Sequence, residues 1–207
     1  MKYVIGTDVG TQSIKVQLYD QNMNLIAKTN TPQYVETPKP MWATQNAMSW
    51  WKIITESIQK LLKEADVSGE DVAAFGCCAH MHGAVPVKWD GTVVEKDIQL
   101  YCDKRGSKIA EQLAEHLTDE DYHRSANAPI ASWHGVKIRW LKDNEPEVYA
   151  AADKFLTPKD FVNFMLTGKA CIDPSEASGT FAMDCEKDAW SDELIALLGI
   201  DKEKLPE

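Results

Sequence analysis

An α/β fold is the expectation for this chain, and three observations lead to it. Two β-branched and aromatic runs, Tyr3 to Ile5 and Ile14 to Tyr19, are followed after Asp20-Gln21-Asn22 by the apolar stretch Leu25-Ile26-Ala27, the spacing of three antiparallel strands joined by turns. From Asn46 the apolar period changes to that of a helix. Beyond it, helical and strand-like stretches alternate, the pattern of helices packed on a sheet.

The first helix is expected from Asn46 to Ala65, with Trp50, Trp51, Ile54, Ile58, Leu61, Leu62 and Ala65 on one stripe and Asn46 as N-cap. Trp50 and Trp51 read as core or its margin. Val72 to Ala79 has strand length, precedes the reversal Trp89-Asp90-Gly91 and reads as a buried strand. Helices follow around Gly106 to Leu117 and Ser132 to Lys142. After the apolar pair Phe155-Leu156 come a helix from Pro158 to Thr167 closed by Gly168 and a last helix around Ser191 to Leu198. Thr29 to Pro40 holds three prolines but is too short to separate independent domains. Residues 1–207 therefore read as one domain.

Charge excludes some functions. Against 32 Asp and Glu stand 22 Lys and Arg, a net charge of -10, and no basic run is long enough to track nucleic acid or an anionic membrane. The five cysteines are odd in number and include no C-x-x-C pair, and the N-terminus lacks a signal-peptide core. A cytoplasmic protein with reduced thiols is expected. No apolar run approaches the roughly 20 residues that cross a bilayer.

The chemistry begins in the stretch GTDVGTQSIK. Its plain reading is a connection between two strands. Its length and hydroxyls suggest more, because Gly10 lets successive backbone N–H groups converge on an anion, with Thr11 and Ser13 adding donors and Lys15 a positive charge. Asp8 would repel a phosphate unless a divalent cation lay between them, and Mg²⁺ with retained waters suits that place. The stretch reads as Mg-nucleotide binding, yet it matches neither the P-loop nor the Rossmann spacing.

GTDVGTQSIK resembles the first phosphate-binding hairpin of the actin-like (ribonuclease H-like) ATPases, a superfamily that includes sugar kinases. WATQNAMSWW, HMHGAV, YCDKRG, NEPEVY, LTPKDFVNFMLTG, DPSEASGTFAMD and WSDEL follow in the order of the N-terminal domain of FGGY carbohydrate kinases, the xylulose kinases in particular. The resemblance implies an actin-like domain, a mixed sheet with opening antiparallel hairpins and flanking helices. It implies ATP and Mg²⁺ as cofactors, with Asp8 at the metal and Gly10, Thr11, Gln12, Ser13 and Lys15 around the phosphates. It also implies a sugar site at Met81, His82, Asp103 and Arg105. His80 stands where xylulose kinases commonly carry Gln, and Tyr101-Cys102 where they carry Trp-Asn.

Independently of the family, a sugar needs partners that both donate and accept, beside an aromatic or apolar face. His82, Asp103 and Tyr101 meet that need. The plainer reading of His80 and His82 is a structural pair at a strand end. Their spacing would also permit a metal site with Cys77 or Cys78, although no full ligand set is evident. Trp42 and Trp133 are candidates for a pocket rim, and Ser175, Glu176 and Thr180 read as residues that cap and turn the chain.

In the family the catalytic aspartate and the adenine site lie beyond this stretch, so the expectation is the N-terminal half of a sugar kinase without its C-terminal ATP-binding domain. The expected partners are a small-molecule sugar and that missing domain; a homodimer stays open. The expected substrate is a ketopentose, D-xylulose first, with ribulose, gluconate, glycerol or erythritol as alternatives. A non-catalytic sugar- or nucleotide-binding module is the other class.

Overall fold

The computed structural model describes residues 2–207. Strands β1 (Tyr3–Val9), β2 (Ser13–Asp20) and β3 (Leu25–Pro32) form an antiparallel meander. A short strand β4 (Thr44–Asn46) leads into α1 (Ala47–Glu64), whose start is capped as expected: the Asn46 side chain accepts from the Ser49 N–H at 3.2 Å. Strand β5 (Val72–Ala79) then returns beside β1 in parallel and completes a sheet of order β3-β2-β1-β5.

The remaining residues build a second layer of small pieces. These are β6 (Val85–Val87), β7 (Asp97–Gln99), α2 (Ser107–His116), α3 (Asp119–Ser125), α4 (His134–Asn144), α5 (Pro146–Ala151) and β8 (Lys154–Leu156). After them come α6 (Pro158–Thr167), α7 (Pro174–Ser178), β9 (Met183–Asp184), β10 (Ala189–Trp190) and α8 (Asp192–Leu198). β4 pairs with β7 and β6 with β8, so these short ladders stitch the layer together.

Alternation along the strands decides which face of the large sheet is covered. Ile5 and Val9 of β1 and Ile14, Val16 and Leu18 of β2 are buried with Trp50, Ile54 and Leu61 of α1, and Phe161 and Val162 of α6 join them. A second core gathers Val136, Ile138, Leu141, Phe155, Phe181, Leu194 and Leu198 around α4 and α8. The other face of the sheet carries Gly6, Asp8, Lys15, Ala74, Gly76 and Cys78, and none of these is buried.

Two expectations change here. Val72–Ala79 is a strand, but as the edge partner of β1 it keeps Ala73, Ala74, Gly76 and Cys78 exposed instead of buried. Gly6 to Lys15 is mostly strand, since β1 runs to Val9 and β2 resumes at Ser13. Pairing on both sides extends β1 through Gly6-Thr7-Asp8, residues that isolated propensity assigns to a loop.

Candidate functional site

The connection between β1 and β2 is Gly10-Thr11-Gln12, and its three carbonyls are held from behind. Gln33 donates from its side chain to the Gly10 carbonyl at 3.1 Å and from its backbone N–H to the Gln12 carbonyl at 2.8 Å. The Gln45 side-chain amide donates to the Thr11 carbonyl at 2.7 Å. Among the described residues the N–H groups of Thr11 and Gln12 have no acceptor in the chain. Carbonyls turned inward and donors left free are what an anion-binding loop requires. Gly10 is needed here because a Cβ would stand 3.0 Å from the Ser13 carbonyl oxygen, which accepts from its N–H.

Asp8 and Lys15 are opposite each other in the β1–β2 register on the uncovered sheet face, and their side chains pair at 3.0 Å. Both remain accessible. The donor set suits Mg²⁺ bound mainly through water and nucleotide oxygens, with Asp8 as a single protein carboxylate. A dedicated protein cage is a different matter: among the described residues no group of three or more His, Cys, Asp or Glu side chains converges.

β5 ends beside β1, and the turn after it holds the second set of residues. The His80 N–H donates to the Val9 carbonyl at 2.8 Å. The His80 ring packs edge-on against Trp50 with centroids 5.0 Å apart, and both its ring nitrogens are buried without a partner in the chain. His82 takes a left-handed backbone conformation, φ 65°, which turns its ring away from His80 and onto Trp133, 4.8 Å between centroids. The two histidines therefore share no face. Met81, between them, is 51% exposed.

Burial lowers the pKa of both His80 and His82 to about 4, and the nearby Lys137 charge adds to the effect. At neutral pH the His82 ring is thus uncharged, one nitrogen a donor and the other an acceptor, which suits a sugar hydroxyl. Its Nδ1 is buried without a partner. Gly179, just after α7, makes this arrangement possible, because a Cβ there would lie 2.5 Å from His82 Cε1.

Asp103 and Arg105 face each other. The Asp103 carboxylate accepts from the Ala43 N–H at 2.7 Å, from the Arg105 N–H at 2.9 Å and from the Arg105 Nη2 at 2.8 Å. Its side chain is 1% exposed. The Arg105 guanidinium lies 3.5 Å from the Trp42 ring centroid and 5.0 Å from that of Trp140. The cleft of about 250 Å³ beside Trp42 and Arg105 is lined by none of Asp8, Met81, His82 or Tyr101. Tyr101 is exposed, and its carbonyl accepts from the Ser132 hydroxyl at 2.6 Å.

The structure thus brings Met81, His82, Trp133 and the Tyr101 segment to one place, sets Gly10–Ser13, Asp8 and Lys15 at the neighbouring strand end, and buries Asp103 and Arg105 behind them. Residues that the sequence did not assign to the site hold it together: Gln33 and Gln45 behind the first loop, and Lys137, Gly179 and Glu176, the last read there only as a cap or turn residue, around His82. Glu176 accepts from the His82 N–H at 3.3 Å, and burial raises its pKa. These contacts run through backbone groups, which every residue type carries, so composition gives no sign of them.

Comparison with known proteins identifies the family and the fold. Residues 3–207 match the N-terminal domain of the FGGY family of carbohydrate kinases. A xylulose kinase from Lactococcus lactis is 32% identical over 207 residues, all of this chain and 41% of its own length. The ligand-bound xylulose kinase from Lactobacillus acidophilus superposes with a TM-score of 0.88 at 26% identity, over 100% of this chain and 42% of that one. The gluconate kinase from the same bacterium gives 0.88 and 26%, over 100% and 41%. The chain thus spans about two-fifths of the length of the curated relatives it matches. No helix among the described residues is long and apolar enough to cross a membrane.

Proposed function

The chain belongs to the FGGY family of carbohydrate kinases, and on that footing we propose that it carries the phosphate-binding and sugar-binding walls of an ATP- and Mg²⁺-dependent kinase of a ketopentose, D-xylulose first. One observation carries this reading. β1 and β5 are parallel neighbours with Val9 opposite Ala79, so the Gly10–Gln12 loop and the His80–Gly83 turn leave the same end of the sheet side by side. That is the carboxyl end of the strands, where open α/β sheets bind ligands, and it supports reading the two turns as neighbouring phosphate and sugar walls.

In this reading the free N–H groups of Thr11 and Gln12, with Gly10, Ser13 and Lys15, take the nucleotide phosphates. Asp8 holds the metal, which when bound neutralises phosphate charge. Met81 and Tyr101 line the sugar's carbon face and the neutral His82 ring meets its hydroxyls. Asp103 and Arg105 serve the sugar through the segment they fix. The general base and the adenine site belong to the portion of the relatives that this chain does not span, so residues 1–207 alone bind ligand without useful turnover. Five free cysteines support a reducing, cytoplasmic setting.

Calorimetric titration of the chain with D-xylulose, D-ribulose, gluconate, glycerol and erythritol tests the reading. D-xylulose should bind most tightly. A tenfold preference for a sugar that is not a pentulose would overturn the choice, and robust sugar-dependent ADP release by residues 1–207 would refute the division of labour.

A further inference from the structure

Lys137 is the most unusual charged group in the molecule. It sits within α4 at 0% exposure, and burial lowers its pKa to about 7 although Asp103 pulls the other way. Its ammonium makes no ion pair among the described residues and donates instead to two backbone carbonyls, that of His82 at 2.7 Å and that of Ser132 at 2.6 Å. A buried cation without a counter-ion is costly to hold, so stability alone does not account for it. The role of this lysine therefore lies in what it joins.

It joins the walls of the candidate sugar site. The His82 carbonyl belongs to the turn bearing Met81 and the His82 ring, and the other end of that residue is held by Glu176. The Ser132 carbonyl belongs to the turn bearing Trp133, against which the His82 ring rests. The Ser132 hydroxyl in turn holds the Tyr101 carbonyl. One ammonium thus fixes the His82 turn, the Trp133 turn and, through Ser132, the Tyr101 segment relative to one another.

We propose that Lys137 is the positioning residue of the sugar site: by tying the His82 and Ser132 carbonyls it sets the spacing between the His82 ring and Tyr101 at which a pentulose is gripped. The proposal rests on the sugar-kinase reading above. Lys137 does not itself touch the sugar in this scheme. A compact ammonium with rotatable donors suits two carbonyls from separate turns better than a planar guanidinium would.

The test compares the unmodified chain with Lys137→Met and Lys137→Ala in calorimetric titration with D-xylulose, beside thermal melts and amide hydrogen exchange. Lys142→Met, a partly exposed position further along the same helix, is the control. Lys137→Met should keep a cooperative melt close to that of the unmodified chain yet bind D-xylulose at least tenfold more weakly, with faster exchange at His82. Lys142→Met should bind as the unmodified chain does. In Lys137→Ala, n-propylammonium replaces the missing atoms and should restore affinity, which also decides the matter if Lys137→Met fails to fold. Unchanged D-xylulose affinity in Lys137→Met, or no restoration by n-propylammonium, would overturn the inference alone. An unmodified chain that binds no sugar of the panel would overturn the sugar-kinase reading and this inference with it.

Discussion

Asp8 and Lys15 pair across β1 and β2 at 3.0 Å on the face of the sheet that no helix covers. Both ends of the pair are solvated, so its contribution to stability is small, about 0 to 1 kcal/mol. Asp8→Asn should accordingly leave the melting temperature of the chain almost unchanged. On the proposed reading, in a protein that joins this chain to the remaining portion found in its relatives, the change should reduce kcat strongly while KM for the sugar stays within about twofold, because the metal acts on charge that develops during transfer. Steady-state kinetics at ordinary Mg²⁺ decide; near-normal kcat would remove Asp8 from the metal.

Gly179→Ala tests the seat of His82. The added methyl would overlap the His82 ring, which cannot stay against Trp133. Crowding of this kind costs roughly 1 to 3 kcal/mol, and sugar affinity should fall at least tenfold, as it should in His82→Ala, where a partner of a buried hydroxyl is lost. Titration with D-xylulose beside a chemical melt reads both effects. A Gly179→Ala chain that binds sugar normally would show that the ring position does not matter.

Asp103→Asn separates scaffold from substrate contact. Removing the charge leaves the buried Arg105 guanidinium without its counter-ion, and breaking a buried pair costs about 3 to 5 kcal/mol. The expected result is a large loss in urea stability. If stability held and only sugar binding fell, Asp103 would be a direct sugar contact.

Acid should destabilise the fold earlier than carboxylate titration alone predicts. His80, His82 and His134 are all held near pKa 4 by burial, below the ordinary 6.5. Each takes up its proton more readily unfolded, so stability falls as pH drops from about 6.5 towards 4; for the wholly buried His134 the effect reaches about 3 kcal/mol. Lys137 acts in the same sense at higher pH, between 10.5 and about 7. Asp160 and Glu176, raised by burial, offset part of the loss at the acid end. Urea midpoints from pH 8 to pH 4.5 should decline steadily, and a His134→Gln chain that still folds should show a shallower decline.

Elements with strong local signals were legible in advance. The Asn46 cap, the Pro158 start and Gly168 end of α6, and the Ser191 cap of α8 all stand where their chemistry predicts. Helices α3, α5 and α7, each of five to seven residues, are too short for a helical period to declare itself. Thr118 and Asp121 do form a capping box at the start of α3, a signal within reach of the sequence. The candidate site was legible in its side chains and illegible in its supports. A motif can point to His82, but whether its carbonyl meets an ammonium depends on folding that brings residue 137 to residue 82.

The outer edge of β5 bears on how the chain behaves in a tube. Residues 72–79, VAAFGCCA, contain no charge and no proline, and pair along one side with β1. Natural sheets usually guard such an edge with lysine, proline or a bulge. Residues 1–207 handled alone therefore present a sticky, unguarded strand with the Cys78 thiol exposed on it. Concentrated stocks should thicken through edge-to-edge pairing and then, as dissolved oxygen oxidises pairs of Cys78 thiols, lock as intermolecular disulfides, so storage calls for dilute protein and a reductant.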